Sequence, residues 1–92
     1  MRTIHKFEIH INTEIQTLEL PEGSQFLYAE YLMSKRSIFV WYEVSADMTA
    51  AKREYKYRVF STGDGIPDHA EYLSTAVDQY LPEVYHIYQI LD

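Results

Sequence analysis

The chain of 92 residues contains no cysteine. That excludes disulfides and thiolate metal sites, and it is compatible with a reducing compartment. Positive charge is scarce: eight Lys and Arg stand against 14 Asp and Glu, a formal net charge of −6 at pH 7. Nonspecific nucleic-acid binding runs on phosphate neutralisation, so this balance argues against direct contact with nucleic acid. Its plainest consequence is solubility. Long hydrophobic runs are also missing. Stretches such as Phe39-Val40-Trp41-Tyr42 are far too short for a membrane-spanning helix. The N-terminal Met1-Arg2-Thr3-Ile4-His5-Lys6 has no long apolar segment after its charges, so no signal peptide is expected and the expected location is the cytoplasm. No Gly-x-Ser-x-Gly elbow and no P-loop occur. With no Cys nucleophile either, the expectation is a protein that is not an enzyme and needs no cofactor.

What the chain has in abundance is tyrosine, nine in all. They fall in short runs rich in aromatic and β-branched residues: Phe26 to Tyr31, Ile38 to Val44, Tyr55 to Phe60 and Val84 to Ile90. Such runs suit a pleated, half-buried surface. A tyrosine has an apolar body and a polar tip, so it fits a boundary between core and water. The length supports one domain, residues 1–92, with a single core.

Alternation marks the strands. Residues 3–11 put Thr3, His5, Phe7, Ile9 and Ile11 on one face. Ile15 to Leu20 follows, then the turn Pro21-Glu22-Gly23-Ser24. Gln25 to Met33 and Ile38 to Val44 form a hairpin about Ser34-Lys35-Arg36-Ser37, which lacks the glycine common in tight hairpin turns. Ser45 to Ala51 reads as a loop with room for one helical turn. Arg53 to Ser61 and Val84 to Leu91 are further strands. The fold class expected is mainly β, a small antiparallel sandwich or partly open barrel of about six to seven strands. Residues 68–81 are ambiguous. Tyr72, Leu73, Ala76, Val77, Tyr80 and Leu81 make a helical stripe, with Asp68 and Glu71 placed for a capping box. The same residues also read as a strand from Tyr72 to Val77, so the expectation includes one short helix near 68–81 as an alternative.

Several groups of residues could carry chemistry. Lys52, Arg53, Lys56 and Arg58 hold half of the Lys and Arg. Basic side chains beside tyrosines can hold a phosphate and stack a base, and the adjacent Thr62-Gly63 can offer backbone N–H groups to an anion. The competing reading is an exposed strand guarded by charge. Asp64, Asp68, His69 and Glu71 are hard ligands, but their spacing matches no calcium-loop or zinc pattern, and turns require the same residue types. No metal site is expected. His5 and His86 stand on apolar strand faces, where a hydrogen-bonded histidine is the plainer reading than a pH sensor. Tyr42, Tyr72 and Tyr88 are assigned inward. Tyr28, Tyr55, Tyr57 and Tyr85 are assigned to the surface and, with Lys56, Arg58, Thr62 and Gly63, form the candidate ligand- or partner-binding set.

Met1-Arg2-Thr3-Ile4-His5-Lys6-Phe7 and Gln16-Thr17-Leu18-Glu19-Leu20-Pro21-Glu22-Gly23 open a chain that resembles a family of small uncharacterised proteins encoded by phages and prophages. The resemblance continues in order through Trp41 and Val44, Arg58 and Phe60, the loop Ser61-Thr62-Gly63-Asp64-Gly65-Ile66-Pro67, then Glu71-Tyr72-Leu73-Ser74-Thr75 and Val84-Tyr85-His86-Ile87. The family's loop histidine is Asp64 here, which tells against a catalytic or metal role for that position. Ser61 and Ser74 replace family glycines. The resemblance implies a phage or prophage origin and a small β-rich fold, and it moves residues 72–77 toward strand. It carries no established activity.

Three functions follow as expectations. The first is a phage-encoded accessory protein acting as a non-enzymatic interaction module, binding a host or phage protein and modulating it, as a counter-defence inhibitor does. The second is a binder that sequesters a small anionic nucleotide. The third is a minor structural or self-associating phage protein, with a homodimer as its simplest form.

Overall fold

The computed structural model describes residues 1–91. It contains seven strands: β1 (Arg2–Ile9), β2 (Gln16–Pro21), β3 (Gln25–Leu32), β4 (Ser37–Ser45), β5 (Lys52–Ser61), β6 (Ala70–Asp78) and β7 (Glu83–Ile90). They form two antiparallel sheets, ordered β1-β4-β3 and β2-β5-β7-β6. The sheets face each other as a sandwich and do not close into a barrel.

Alternation explains the core. In β4, Ile38, Val40, Tyr42 and Val44 are buried and point at the second sheet. Their registered partners Ile9, Phe7, His5 and Thr3 on β1 share that inner face. From the second sheet come Leu20, Tyr57, Val59, Ala76 and Ile87. The sandwich is tight on the side where β3 meets β6. There Tyr31 stacks on Tyr85 with ring centroids 5.9 Å apart. It is open on the side of β1 and β2, consecutive strands that end up as edges of opposite sheets. The Gln16 side chain ties them at one end: its Oε1 accepts from the His10 N–H at 2.7 Å and its Nε2 donates to the His10 carbonyl at 2.6 Å. Toward Met1 a groove of about 690 Å³ opens, lined by His5, Phe7, Glu19, Pro21, Met48 and Lys52 among others.

Residues 70–78 are strand, and the short helix considered for 68–81 does not form. The β6 ladder slips between Tyr72 and Ser74, so Leu73 is an extra residue. The apolar residues of the stripe lie on both faces of the strand and beyond it: Ala76 is buried, Val77 is exposed, and Tyr80 and Leu81 fall in the following turn. Tyr72 pairs with Tyr88 on the outer face of its sheet and is 54% exposed. The inward assignment of Tyr72 is therefore corrected, and so is that of Tyr88, whose ring lies outside the sheet between Phe60 and Tyr72. Tyr42 is inward, as its alternation requires.

β5 and β6 both run antiparallel to β7, so they run parallel to each other on its two sides. Residues 62–69 must then travel back along β7, from the level of Tyr85 to that of Ile90. That is about 17 Å at strand spacing, within the ~26 Å that such a segment can span. The Thr62 hydroxyl bonds His86 Nε2 at 3.0 Å, and His86 belongs to the outer face. The crossover therefore covers the outer face of this sheet. Phe60, on that face and outside the inter-sheet core, is 0% exposed, with the Arg58 guanidinium over its ring and Tyr88 edge-on to it.

Candidate functional site

The two outer faces are both aromatic, and a connection crosses only one of them. On the four-stranded sheet, Phe60, Tyr88 and Tyr72 form a ladder with centroids 5.3 and 5.5 Å apart in edge-to-face geometry. Arg58 lays its guanidinium over Phe60 at 4.6 Å. The side chains of Tyr72, Thr75, His86 and Thr62 are joined by successive hydrogen bonds of 2.7, 3.2 and 3.0 Å. With both ring nitrogens engaged, His86 acts as a strut between β6, β7 and the crossover. The crossover is itself pinned by Asp64, whose Oδ2 accepts from the Ser61 N–H at 2.8 Å, and it passes through Gly63 at φ 98°.

On the three-stranded sheet, no connection among the described residues crosses the outer face. Lys6, Trp41 and Tyr28 stand in one registered row, and Glu8, Phe39 and Glu30 in the next. Tyr28 is 55% exposed, with its ring 5.9 Å from that of Trp41. A bulge aims it there. Phe26 faces inward opposite Tyr42, and strict alternation would turn Tyr28 inward too. The ladder slips at Leu27, so Tyr28 registers with the outward Trp41 and Ala29 with the inward Val40. Lys6 places its ammonium 5.1 Å from the centroid of Phe39. Glu43, ion-paired to Arg2 at 2.8 Å, adds to an acidic border that includes Glu8 and Glu30.

The candidate residues divide between these surfaces. Tyr28 is on the bare aromatic face. Lys56, Arg58 and Thr62 belong to the covered face, and Gly63 to the crossover above it. Tyr57 is a correction: it is 0% exposed, its ring points between the sheets, and its hydroxyl shares a 2.6 Å hydrogen bond with that of Tyr42. The cause is the phase of β5. The face carrying Tyr55, Tyr57 and Val59 is the inner one, and Lys56 and Arg58 mark the outer. Val59 was the sequence signal for this. Tyr55 and Tyr85 are half-buried and pack against the core, so neither is a free surface tyrosine.

Burial pushes the Tyr57 hydroxyl far above the usual tyrosine range, with Tyr42 adding to the effect. Burial raises that of Tyr42 as well. Tyr31 and Tyr85 are raised first by burial, then respectively by the carboxylates of Asp78 and of Glu83. Asp78 is itself buried, and its Oδ1 accepts from the Tyr80 N–H at 3.0 Å, closing the turn between β6 and β7. In the groove, hydrogen bonds from Thr49 lower the carboxyl of Asp47. Among the described residues no three His, Asp or Glu converge to hold a metal ion, so Asp64, Asp68, His69 and Glu71 do not form a cluster. His5 and His86 lie in different sheets. No helix of the described residues is long and apolar enough to cross a membrane.

Fold and surface together define a small seven-stranded sandwich with aromatic side chains on both outer faces, one of them crossed by its own chain. The chain belongs to the family described as a domain of unknown function, DUF7352, whose profile matches residues 1–91. No curated protein and no solved structure matches it.

Proposed function

We propose that the protein is a non-enzymatic interaction module that binds a protein partner through the outer face of the β1-β4-β3 sheet. The observation that carries this reading is the Tyr28–Trp41 aromatic pair on a sheet face that no connection crosses. The bulge at Leu27 sets the exposed Tyr28 beside the half-buried Trp41 on the outer face. Rigid aromatics in an exposed patch are the residues that anchor binding hot spots. The acidic border of Glu8, Glu30 and Glu43, on a chain of net charge −6, favours a partner with a basic rim. The motif resemblance adds a setting: a phage or prophage accessory protein acting in the host cytoplasm on a host or phage protein. A paired affinity capture from bacterial host lysate tests the reading. A partner retained by the wild type must be lost by Tyr28→Ala/Trp41→Ala while the variant stays folded. Equal capture by both proteins, or none at low and moderate salt, rejects it.

The second reading, a binder of a small anionic nucleotide, draws on one observation. Lys56, Arg58 and Thr62 share the outer face of the other sheet with Tyr72 and Tyr88. Calorimetry with a nucleotide panel decides it. The absence of heat and of any shift in melting temperature removes it.

A further inference from the structure

The geometry points to self-association: the free edge of β1 pairs antiparallel with β1 of a second copy, in the register that sets Arg2 opposite Glu8 and Ile4 opposite Lys6. This goes beyond the proposed partner binding and does not depend on it.

β1 is an edge strand along its whole length. Which of its backbone groups are unused can be worked out from three contacts. The Met1 carbonyl accepts from the Ala46 N–H at 3.0 Å, and the Ile9 carbonyl accepts from the Ser37 hydroxyl at 3.1 Å. Both contacts lie on the β4 side. The His10 N–H and carbonyl turn the other way and are occupied by the Gln16 side chain. Backbone groups alternate along a strand. Thr3, His5 and Phe7 therefore bond β4, while Arg2, Ile4, Lys6 and Glu8 present their N–H and C=O groups to the open side. The free edge ends cleanly at Glu8, because Gln16 has already satisfied His10.

Two identical antiparallel strands are related by a two-fold axis perpendicular to the sheet. That axis keeps inner faces together, so only residues of the same face can lie opposite each other. Registers with Ile4, His5, Lys6 or Phe7 on the axis overlap five or more residues of β1; the last sets Lys6 against Glu8 twice but leaves Arg2 and Ile4 of both copies unpaired, and charge separates the other three. A shift toward the N-terminus sets Arg2 against Lys6 twice. A shift toward the C-terminus sets Lys6 against Lys6 on the axis. The central register, with His5 on the axis, sets Arg2 against Glu8 twice and Ile4 against Lys6 twice. Directly opposed like charges destabilise a sheet and opposite charges stabilise it. The central register is also the one in which all four outward-turned residues meet outward-turned residues, so every free N–H and C=O from Arg2 to Glu8 finds a partner.

On the inner face the same register brings Phe7 of one copy beside Thr3 of the other. Thr3 and His5 point inward yet remain exposed, because the sandwich is open there. The second copy supplies cover at that mouth. The joined sheet of six strands would carry the Tyr28–Trp41 face of both copies on one side.

Sedimentation equilibrium at low salt tests the proposal with two charge reversals. Arg2→Glu opposes Glu to Glu at both contacts, and Glu8→Arg opposes Arg to Arg. Each variant alone should dimerise roughly tenfold or more weakly than the wild type. An equimolar mixture opposes Glu to Arg at both contacts, so it should form the heterodimer and recover wild-type affinity. A second measurement needs no variant: the amides of Ile4, Lys6 and Glu8 should gain hydrogen-exchange protection as wild-type concentration rises. A wild type that stays monomeric to about 1 mM overturns the proposal, where a free energy of only about 4 kcal/mol would already give half dimer. So does a dimer indifferent to both reversals, or one whose variants fail to recover on mixing.

Discussion

Replacing Tyr57 with Phe removes one hydroxyl from the middle of the sandwich and strands another. The Tyr42 and Tyr57 oxygens are 2.6 Å apart, and the two side chains are 3% and 0% exposed. Their rings also touch, with centroids 6.3 Å apart, and Phe7 and Phe26 pack edge-on to Tyr42. Phenylalanine keeps all of that ring packing. The change is therefore confined to hydrogen bonding. A buried polar group that loses its partner costs about 1–3 kcal/mol, whereas removing both partners is nearly neutral. Tyr42→Phe and Tyr57→Phe should each destabilise by about 1–3 kcal/mol, lowering Tm by about 4–8 °C per kcal/mol for a domain of this size. The double variant should lose less than the sum of the two, with a coupling above about 1 kcal/mol. Alkaline pH supplies an independent check. Both hydroxyls have folded values raised above the unfolded one. Above about pH 10 the unfolded chain releases these protons while the folded chain keeps them. Stability must then fall with rising pH by about 1.4 kcal/mol per pH unit for each retained proton. Urea melts of the four proteins from pH 8 to about 11 measure both effects. Additive single losses, or a wild-type stability that is flat above pH 10, would refute the reasoning.

Other perturbations test the frame around the two faces. Phe60→Ala should cost about 3–5 kcal/mol despite lying outside the inter-sheet core, because its burial is complete; limited proteolysis should then cut first within residues 62–69. Gly63→Ala should cost about 1 kcal/mol by thermal melting. Its φ of 98° disfavours a side chain, and nothing lies within 4 Å of the added Cβ, so the penalty is backbone strain alone. Arg36, at φ 51° in the turn between β3 and β4, is the reverse case. Arg36→Gly should stabilise the hairpin by about 0.5–1 kcal/mol, and an unchanged melting curve would count against strain there.

The strands were legible because half-buried strands write their faces into the sequence. β4 alternates Ile38, Val40, Tyr42 and Val44 against Phe39, Trp41 and Glu43, and its inner face is the first set. The misreadings cluster where an extra residue breaks that phase, or where cover comes from outside the strand. Leu73 in β6 shifts the pattern by one and turns Tyr72 outward. On β5 the candidate set joins Tyr55 and Tyr57 to Lys56 and Arg58, but alternation puts the two pairs on opposite faces, and the tyrosine face is the inner one. Composition alone cannot say that Phe60 is buried outside the inter-sheet core. Of the candidate binding residues, Tyr28 lies on the bare face, although the bulge that turns it outward is invisible in the sequence. Tyr57 failed for the same reason that it is informative: a tyrosine can be fully interior once a second tyrosine meets its hydroxyl.

Topology accounts for why a connection crosses only one of the two outer faces. The parallel run of β5 and β6 requires a connection along β7, so the four-stranded sheet is covered as a consequence of its strand order. The three-stranded sheet has no such requirement. β3 and β4 are joined by a hairpin at residues 33–36, and the connections at 10–15, 22–24 and 46–51 each pass from one sheet to the other at the ends of the sandwich. None needs to run along a strand of this sheet, so none is available to cover Trp41 and Tyr28. If these aromatics served stability alone, a polar pair such as Thr–Thr would do as well at this registered position, since cross-strand pairs contribute only about 0.2–1 kcal/mol. A bulge that turns Tyr28 outward to meet Trp41 gains little for an isolated chain. It gains much more when another molecule completes the burial, because each such aromatic brings about 150–250 Å² of surface to the contact.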